Sequence, residues 1–314
     1  MDREVLIGEI NRLRKEKNAV IMAHYYQIPE IQDIADFVGD SLELARQAKK
    51  TDTSIIVLCG VHFMGETAKI ICPKKKVLIP DMNSGCSLAD SCKAEDLRVW
   101  KEKHPEHLIL SYVNTSAAVK ALTDIVVTSS NALGIVEQLP KEQKILFGPD
   151  RNLGNYINSV TGRHMDLWNG YCHVHEKFSL QKLIELKNKY PEAKVLVHPE
   201  CKGPVVEMAD VVGSTKRLLN YAVESDDNLF LIATESGILH EMQKACKDKI
   251  FIPVPPEVTE GDKTCACNEC NYMRMNTLEK LYICLRDEIN EIKVDSEIAR
   301  KAIIPIERMF EMSK

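Results

Sequence analysis
The sequence predicts an α/β protein built as three similar three-layer α/β/α lobes with short parallel sheets, arranged about a pseudo-threefold axis with the active site at the centre. Three observations predict it. Apolar runs of strand length alternate with segments of helical periodicity, the pattern of a parallel sheet with helices on its faces. The segments Ala35-Asp36-Phe37-Val38-Gly39-Asp40-Ser41, Thr123-Asp124-Ile125-Val126-Val127-Thr128-Ser129 and Ala209-Asp210-Val211-Val212-Gly213-Ser214-Thr215 align without a gap, at offsets of 88 and 86 residues. His24 and Ser41, Tyr112 and Ser129, and His198 and Thr215 are each 17 positions apart, so polar residues share the period. Self-similarity at a fixed period marks a repeat architecture. It overrides the two domains that 314 residues alone suggest. The lobes are expected at 1–88, 89–175 and 176–271, the third carrying a cysteine-bearing loop, with C-terminal helices over 272–314 packing on them.

In the first lobe, Val5, Leu6, Ile10 and Leu13 fall on one face of a helix over 3–17. Residues 19–23 form a wholly apolar run, read as a buried strand that ends in His24-Tyr25-Tyr26. A short strand after Asp36 turns into a helix over about 41–49, followed by a strand at 54–60, a helix at about 64–71 and a strand at 77–79. That strand delivers the loop bearing Cys86. The second lobe restarts with a helix at about 91–103 and a strand at 108–111 that ends in Tyr112-Val113-Asn114. Strands at 124–127 and 144–147 follow, then a loop carrying Cys172. The third has a helix at 180–189 and a strand at 194–197 ending in His198-Pro199-Glu200, with later strands at 210–212, 228–233 and 250–252. The tail reads as an amphipathic helix over about 277–292 and another opening at Asp295, which Pro305 is expected to bend or end.

Composition excludes several classes of function. With 45% hydrophobic and 28% charged residues the chain is an ordinary soluble protein, and a net charge of −5 without a basic stripe argues against nucleic acid. The longest apolar run, 55–61, is far too short to span a bilayer. The charged opening Met1-Asp2-Arg3-Glu4 is not a secretory signal, so eleven cysteines point to a reducing cytoplasm, as core fillers, metal ligands or redox groups.

Three cysteines fall in Thr264-Cys265-Ala266-Cys267-Asn268-Glu269-Cys270, with no further cysteine until Cys284 in a helical pattern and no histidine at finger spacing. A structural zinc site is therefore poorly supported. The repeat offers another grouping. Shifting Cys86 by one period reaches position 174, beside Cys172, and the third lobe carries an insertion before Cys270. Each lobe then supplies a polar pair at a strand's carboxyl end, a hydroxyl at a helix N-terminus (Ser41, Ser129 or Thr215) and a cysteine on a late loop. Strand carboxyl ends and helix N-termini are where α/β proteins hold anions, so the pocket suits a multiply anionic small molecule. Three thiolates suit an iron–sulfur cluster with one open, Lewis-acidic iron, an arrangement for dehydration.

Structural alternatives apply to single residues. Ser41, Ser129 and Thr215 taken singly are N-caps; His24 and His198 could be satisfied core histidines. Cys59, Cys72, Cys246 and Cys284 sit in apolar patterns as core filler. Cys92 and Cys201 lie near the site without a role, and Cys265 and Cys267 could be a redox pair, spare ligands or incidental. His173 and His175, flanking Val174, could bind metal, but a place behind the ligands or in solvent fits them better.

The runs Ala23-His24-Tyr25-Tyr26, Asn83-Ser84-Gly85-Cys86-Ser87-Leu88-Ala89-Asp90, Thr128-Ser129-Ser130-Asn131-Ala132, His198-Pro199-Glu200-Cys201, Asp210-Val211-Val212-Gly213-Ser214-Thr215 and Cys267-Asn268-Glu269-Cys270, with Met273-Arg274-Met275-Asn276, together resemble the quinolinate synthase family. The resemblance covers nearly the whole chain. It implies three similar α/β lobes and one 4Fe–4S cluster held by a cysteine from each, here Cys86, Cys172 and Cys270. It implies condensation of iminoaspartate with dihydroxyacetone phosphate to quinolinate, with loss of phosphate and two waters, for NAD synthesis. Tyr26 matches the family's proton-transfer tyrosine and Glu200 its catalytic carboxylate, which also meets substrate. His24, Tyr112, Asn114 and His198 match substrate-orienting groups, the two histidines being counted with the catalytic set as well. Ser41, Ser129 and Thr215 match residues that hold carboxylates or phosphate. An upstream aspartate-oxidising enzyme is the implied source of iminoaspartate, in a cytoplasmic monomer or homodimer. In one respect the chain departs: some members have Cys-x2-Cys-x2-Cys where this chain has Cys265-x-Cys267, a gap too short for an unstrained disulfide. The rival class is an iron–sulfur or thiol-based redox sensor, opposed by the missing DNA-binding motif and by the polar groups aimed at one pocket. A radical enzyme using S-adenosylmethionine lacks its Cys-x3-Cys-x2-Cys motif here.

Overall fold
The computed structural model describes residues 2–257 and 268–313, so Cys265 and Cys267 lie outside the described residues. Each lobe runs through the same order of elements. The first has α1 (Arg3–Glu16), β1 (Ala19–His24), α2 (Pro29–Ile34), β2 (Phe37–Gly39), α3 (Ser41–Lys50), β3 (Ile55–Cys59), α4 (His62–Ile71) and β4 (Lys76–Leu78). After a short α5 (Ser87–Asp90), the second has α6 (Ala94–Lys103), β5 (Leu108–Tyr112), α7 (Ala117–Lys120), β6 (Ile125–Val127), α8 (Ala132–Gln138), β7 (Ile145–Gly148), α9 (Arg151–Thr161) and β8 (Asp166–Leu167). The third has α10 (Leu180–Lys189), β9 (Lys194–Val197), α11 (Gly203–Val206), β10 (Val211–Val212), α12 (Thr215–Glu224), β11 (Leu229–Ala233), α13 (Ile238–Ala245) and β12 (Ile250–Pro253). The chain ends in α14 (Leu278–Asp287) and α15 (Ser296–Met312).

The three sheets have one topology: β2-β1-β3-β4, β6-β5-β7-β8 and β10-β9-β11-β12, each of four strands. Every pairing between these strands is parallel. The fold is therefore three parallel sheets flanked by helices, as the repeat predicts. All six residues of β1 are buried, which is why its sequence is continuously apolar up to His24.

An aspartate latches the edge of each sheet. Asp36 exchanges two hydrogen bonds with Ile21: its N–H donates to the Ile21 carbonyl at 2.8 Å, and its carboxylate accepts the Ile21 N–H at 2.8 Å. Asp124 does the same with Ile109, at 3.0 and 2.8 Å, and Asp210 with Val195, at 2.9 and 2.8 Å. A cation faces each carboxylate: Arg14 at 2.9 Å, Lys101 at 3.5 Å and Lys194 at 3.7 Å. The recurring Asp of the repeat segment is thus the residue that docks the second strand of each lobe onto the first.

Several elements differ from expectation: α9 lies where only a loop leading to Cys172 is expected, and α2, α7, α11 and α13 are not foreseen. The fourth strand of the second lobe, β8, has two residues, too few to leave a periodic signal. The helix expected at 91–103 starts at Ala94, because Lys93 is extended and the chain before it forms α5. The helix expected at 277–292 stops at Asp287, where Glu288 turns left-handed (φ 52°). The chain beyond it lies along β4, with Ile292 N–H bonded to the Val77 carbonyl at 2.8 Å and Leu78 bridging Glu291 antiparallel. That covers an exposed strand edge. Finally, α15 passes through Pro305 instead of ending there. Proline in a helix interior costs about 3 kcal/mol; here Ala302, Pro305, Ile306 and Met309 are buried, and the helix packs on α7 and β6. Burial of that face offsets the lost hydrogen bond.

Replacing Asp124 by Ala leaves the Ile109 N–H without its acceptor and is expected to lower stability by about 1–3 kcal/mol. Asp124→Asn keeps an acceptor and loses only a partly exposed ion pair, so its cost is expected to be below about 1 kcal/mol. Urea denaturation of the two variants checks this; equal losses would show that the ion pair, not the latch, matters.

Candidate active site
One cavity, of about 730 Å³ counted to its mouth, takes side chains from all three lobes. His24 ends β1, Tyr112 ends β5 and His198 follows β9, so each first strand delivers one ring to the cavity. Two residues further on stand Tyr26, Asn114 and Glu200, also on its wall. Ser41, Ser129 and Thr215 line it, and so do Cys86, Cys172 and Cys270. Every site residue expected from the sequence therefore meets the same space.

The hydroxyls are not the caps. Asp40 caps α3 by accepting the Leu42 and Glu43 N–H groups, Ser214 caps α12 by accepting that of Arg217, and Asn131 precedes α8. Capping by the preceding residue leaves Ser41 and Thr215 as the first helical residues, on the cavity wall, whereas Ser129, expected at a helix start, reaches the wall from the turn three residues before α8.

His24 and His198 are held alike. The Tyr26 N–H donates to His24 Nδ1 at 3.1 Å and the Glu200 N–H to His198 Nδ1 at 3.3 Å. An imidazole accepting at Nδ1 carries its proton on Nε2. Burial pulls both rings down to about 3, with the neighbouring His175 adding to the effect at His198. Both are neutral Nε2–H donors at physiological pH. Among the described residues no lysine or arginine lines the cavity, so recognition of an anion here falls to hydroxyls and imidazole N–H groups.

A hydrogen-bonded chain crosses the site. Tyr112 OH donates to Glu200 Oε1 at 2.5 Å, and His175 Nδ1 lies 3.0 Å from Glu200 Oε2. His175 Nε2 meets Thr234 Oγ1 at 3.0 Å, which in turn meets Tyr26 OH at 3.0 Å; Tyr26 OH also reaches Thr215 Oγ1 at 2.7 Å. Burial alone raises the Glu200 carboxyl, but His175 and His198 beside it and the bonds from His175 and Tyr112 bring it below the ordinary carboxylate range. Burial, with Glu200 close by, holds the Tyr26 phenol well above its ordinary value. The site thus contains an ionised carboxylate and a protonated phenol joined through Thr234 and His175. His175 is buried and next to Cys172, 3.3 Å from its sulfur, whereas His173 bonds the Ser87 hydroxyl at 2.8 Å.

The cysteines fit a metal cluster. Burial pushes the Cys86 thiol up to about 12, Cys270 to about 11 and Cys172 well above its ordinary value, and each raises another of the three or is raised by one. Coordination to a cationic metal deprotonates such thiols. Each sulfur also receives backbone N–H groups from the turn that follows it: Ala89 and Leu88 at Cys86, His175 at Cys172, Met273 and Tyr272 at Cys270. Such donors stabilise thiolate and tune iron–sulfur clusters. Cys172, His175 and Glu200 also place one donor atom each within 4.8 Å of one another. The remaining described cysteines, Cys59, Cys72, Cys92, Cys201, Cys246 and Cys284, are free and buried.

Residues 8–311 match the model of the quinolinate synthetase A protein family. The chain belongs to the quinolinate synthase family. It is 56% identical over 309 residues to the quinolinate synthase of Chloroherpeton thalassium, covering 98% of this chain and 95% of that protein. It is 54% identical over 308 residues to those of Microcystis aeruginosa and a Synechococcus strain, at the same coverage. No helix among the described residues is long and apolar enough to cross a membrane. Within this family member, sequence reasoning had no role for Thr234, Asp150 or Glu235, and gave His175 only a place behind the ligands or in solvent. Thr234 and Glu235 follow β11 by one and two residues, as His198 follows β9 by one and Tyr26 follows β1 by two, so strand ends on the third strand of each lobe were the available signal.

Because His24 and His198 are neutral in the folded chain and charge at about 6.5 when unfolded, protons favour the unfolded state, and stability falls as pH drops below that value. Each contributes a slope of about 1.4 kcal/mol per pH unit between there and about 3. Urea midpoints measured from about pH 7 to about pH 5 are expected to fall, and less steeply in a His24→Gln, His198→Gln double variant. Identical slopes would show that neither ring is buried neutral.

Proposed function
We propose that the chain is a quinolinate synthase that condenses iminoaspartate with dihydroxyacetone phosphate, releasing phosphate and two waters. The observation that carries this function is the meeting of three cysteines, one from each lobe, with the Tyr26-to-Glu200 hydrogen-bonded chain in a single cavity. Cys86, Cys172 and Cys270 would hold a 4Fe–4S cluster, which when bound supplies a Lewis-acidic iron position for a substrate oxygen.

The chain's own groups account for the rest. Ser41, Ser129 and Thr215 hold the substrates' carboxylates and phosphate through hydroxyl donors, and the Nε2–H groups of His24 and His198 orient carbonyl or carboxylate oxygens. Tyr112 OH, fixed on Glu200, and Asn114 set the position of the substrate against that carboxylate. Closing and aromatising a pyridine ring requires proton removal and return at several atoms. Glu200, ionised and buried, takes a proton; Tyr26, protonated and buried, gives one. After that exchange, protonated Glu200 donates to His175 Nδ1, His175 Nε2–H to Thr234 and the Thr234 hydroxyl to the Tyr26 oxygen, so the proton taken by Glu200 replaces the one given by Tyr26. An aspartate-oxidising enzyme in the same cytoplasm would supply iminoaspartate, which hydrolyses in water.

Anaerobically purified protein is expected to be brown, and Cys86→Ala, Cys172→Ala or Cys270→Ala to lose the colour and the bound iron. A fully coloured Cys270→Ala protein would remove that residue from the ligand set. Tyr26→Phe and Glu200→Gln are expected to keep the cluster and to lower quinolinate formation by about 10² to 10⁴. The oxygen-free assay with iminoaspartate and dihydroxyacetone phosphate tests the function itself; a cluster-loaded protein that makes no quinolinate would overturn it.

A further inference from the structure
Two buried carboxylates stand in equivalent places that the chemistry above does not use. Asp150 lies two residues past the end of β7 and Glu235 two past the end of β11, and neither side chain is exposed. Each accepts the backbone N–H of a cluster cysteine: Asp150 Oδ2 from Cys172 at 2.9 Å, Glu235 Oε1 from Cys270 at 3.0 Å. Each is also bonded to a residue whose side chain reaches a different lobe, Asp150 through the main-chain N–H of Asn152 and Glu235 through the Arg274 guanidinium. Asp150 accepts the Asn152 and Leu153 N–H groups at 2.7 and 2.9 Å, and Asn152 Nδ2 donates to the Glu200 carbonyl at 3.0 Å. Glu235 Oε1 accepts from Arg274 at 3.2 Å, and the other arm of that guanidinium donates to the Tyr26 carbonyl at 2.9 Å.

The two carbonyls belong to repeat-equivalent positions, each two residues after a histidine that accepts its N–H. They are the two residues assigned to proton transfer. Approach at Tyr26 is close: a Cβ on Gly237, whose N–H is bonded to Glu235 at 2.7 Å, would lie 2.7 Å from Tyr26 Cα. The first lobe has Val61 at the corresponding place, two past β3, so Cys86 has no such carboxylate; its loop is held through Ser84, whose hydroxyl donates to the Gly60 carbonyl at 3.1 Å.

We propose that Asp150 with Asn152, and Glu235 with Arg274, are positioning pairs, each tying one cluster cysteine of one lobe to the main chain of one proton-transfer residue of another. The carboxylate fixes the cysteine loop, and its partner carries that fixation to Glu200 or Tyr26. Assembly of the cluster site and alignment of the acid and base are then one event. The proposal rests on the cluster and on the roles of Tyr26 and Glu200 given above.

The test uses the full chain, reconstituted with iron and sulfide without oxygen, and a ferrous chelator as the probe. Asp150→Ala and Glu235→Ala are expected to release iron about tenfold faster than the parent. Asp150→Asn and Glu235→Gln keep an oxygen that accepts the cysteine N–H and are expected to restore slow release. Asn152→Ala and Arg274→Met leave both carboxylates in place. They are expected to hold iron at the parent's level while kcat for quinolinate falls about tenfold with KM unchanged. Parent-like release from the alanine variants, or release as fast from the amide variants as from the alanine ones, overturns the clamp. Should an alanine variant fail to fold, the amide variants decide: fast release from them counts against it, slow release for it. Parent-like kcat in both Asn152→Ala and Arg274→Met overturns the link. If the parent binds iron yet makes no quinolinate, the proposed function fails while the release rates still judge the clamp.

Discussion
Strands of two or three residues cannot hold their own register, and β2, β6 and β10 are that short. Their position comes from the aspartate in front of each, which both donates to and accepts from one residue of the neighbouring first strand. With that pair of bonds fixed, the next residues follow by chain geometry. The strand ends, the backbone turns, and Ser41 or Thr215 arrives at the start of a helix, and Ser129 in the turn before one, beside the ring that the first strand delivers. The constant spacing of 17 residues is the sequence trace of this arrangement. A slip of one residue would turn each hydroxyl off the cavity wall, since side chains alternate faces along a strand.

Electrostatics inside the cavity follow from burial. Two imidazoles are kept neutral and one phenol protonated, and three thiols stay protonated unless a cationic metal joins them. Glu200 escapes the same fate because its two oxygens are separately bonded, one by Tyr112 and the other by His175. An unpaired buried carboxylate would take up a proton. The site therefore separates an ionised carboxylate and a protonated phenol across a chain of three hydrogen bonds.

Much of this was legible in the sequence because it depends on residue type and spacing. The repeat gave the three sheets, and the period carried Cys86 to the neighbourhood of Cys172. Readings failed where a tertiary contact outweighs a local preference. Pro305 stays in a helix because its face is buried, and the segment after Asp287 leaves the helix to cover β4. The hydroxyls at the helix starts were open to interpretation as caps, since a serine beside a helix start has the same local sequence whether it caps or faces a ligand; Asp40 and Ser214 resolve it. Thr234, Glu235 and Asp150 follow strands of the right kind, but a threonine or carboxylate there has no signature of its own. Its meaning lies in partners such as His175 or the Cys270 N–H, far off in sequence.

The three lobes share a backbone and not a chemistry. Equivalent places hold His24, Tyr112 and His198; Tyr26, Asn114 and Glu200; Val61, Asp150 and Glu235. A strictly repeated set would present three identical faces to the cavity, which suits a symmetric ligand and offers no distinction between proton donor and acceptor. Here the repeated main chain delivers side chains to matched points, while divergence at those points gives one face a phenol, one a carboxylate and one an amide. The proposed condensation, which joins two unlike small molecules in a fixed orientation, needs that inequality. It also explains why the carboxylate behind the cysteine occurs in two lobes only. Those are the lobes whose cysteine loops are tied to the main chain of Glu200 and Tyr26, the two residues proposed to transfer protons.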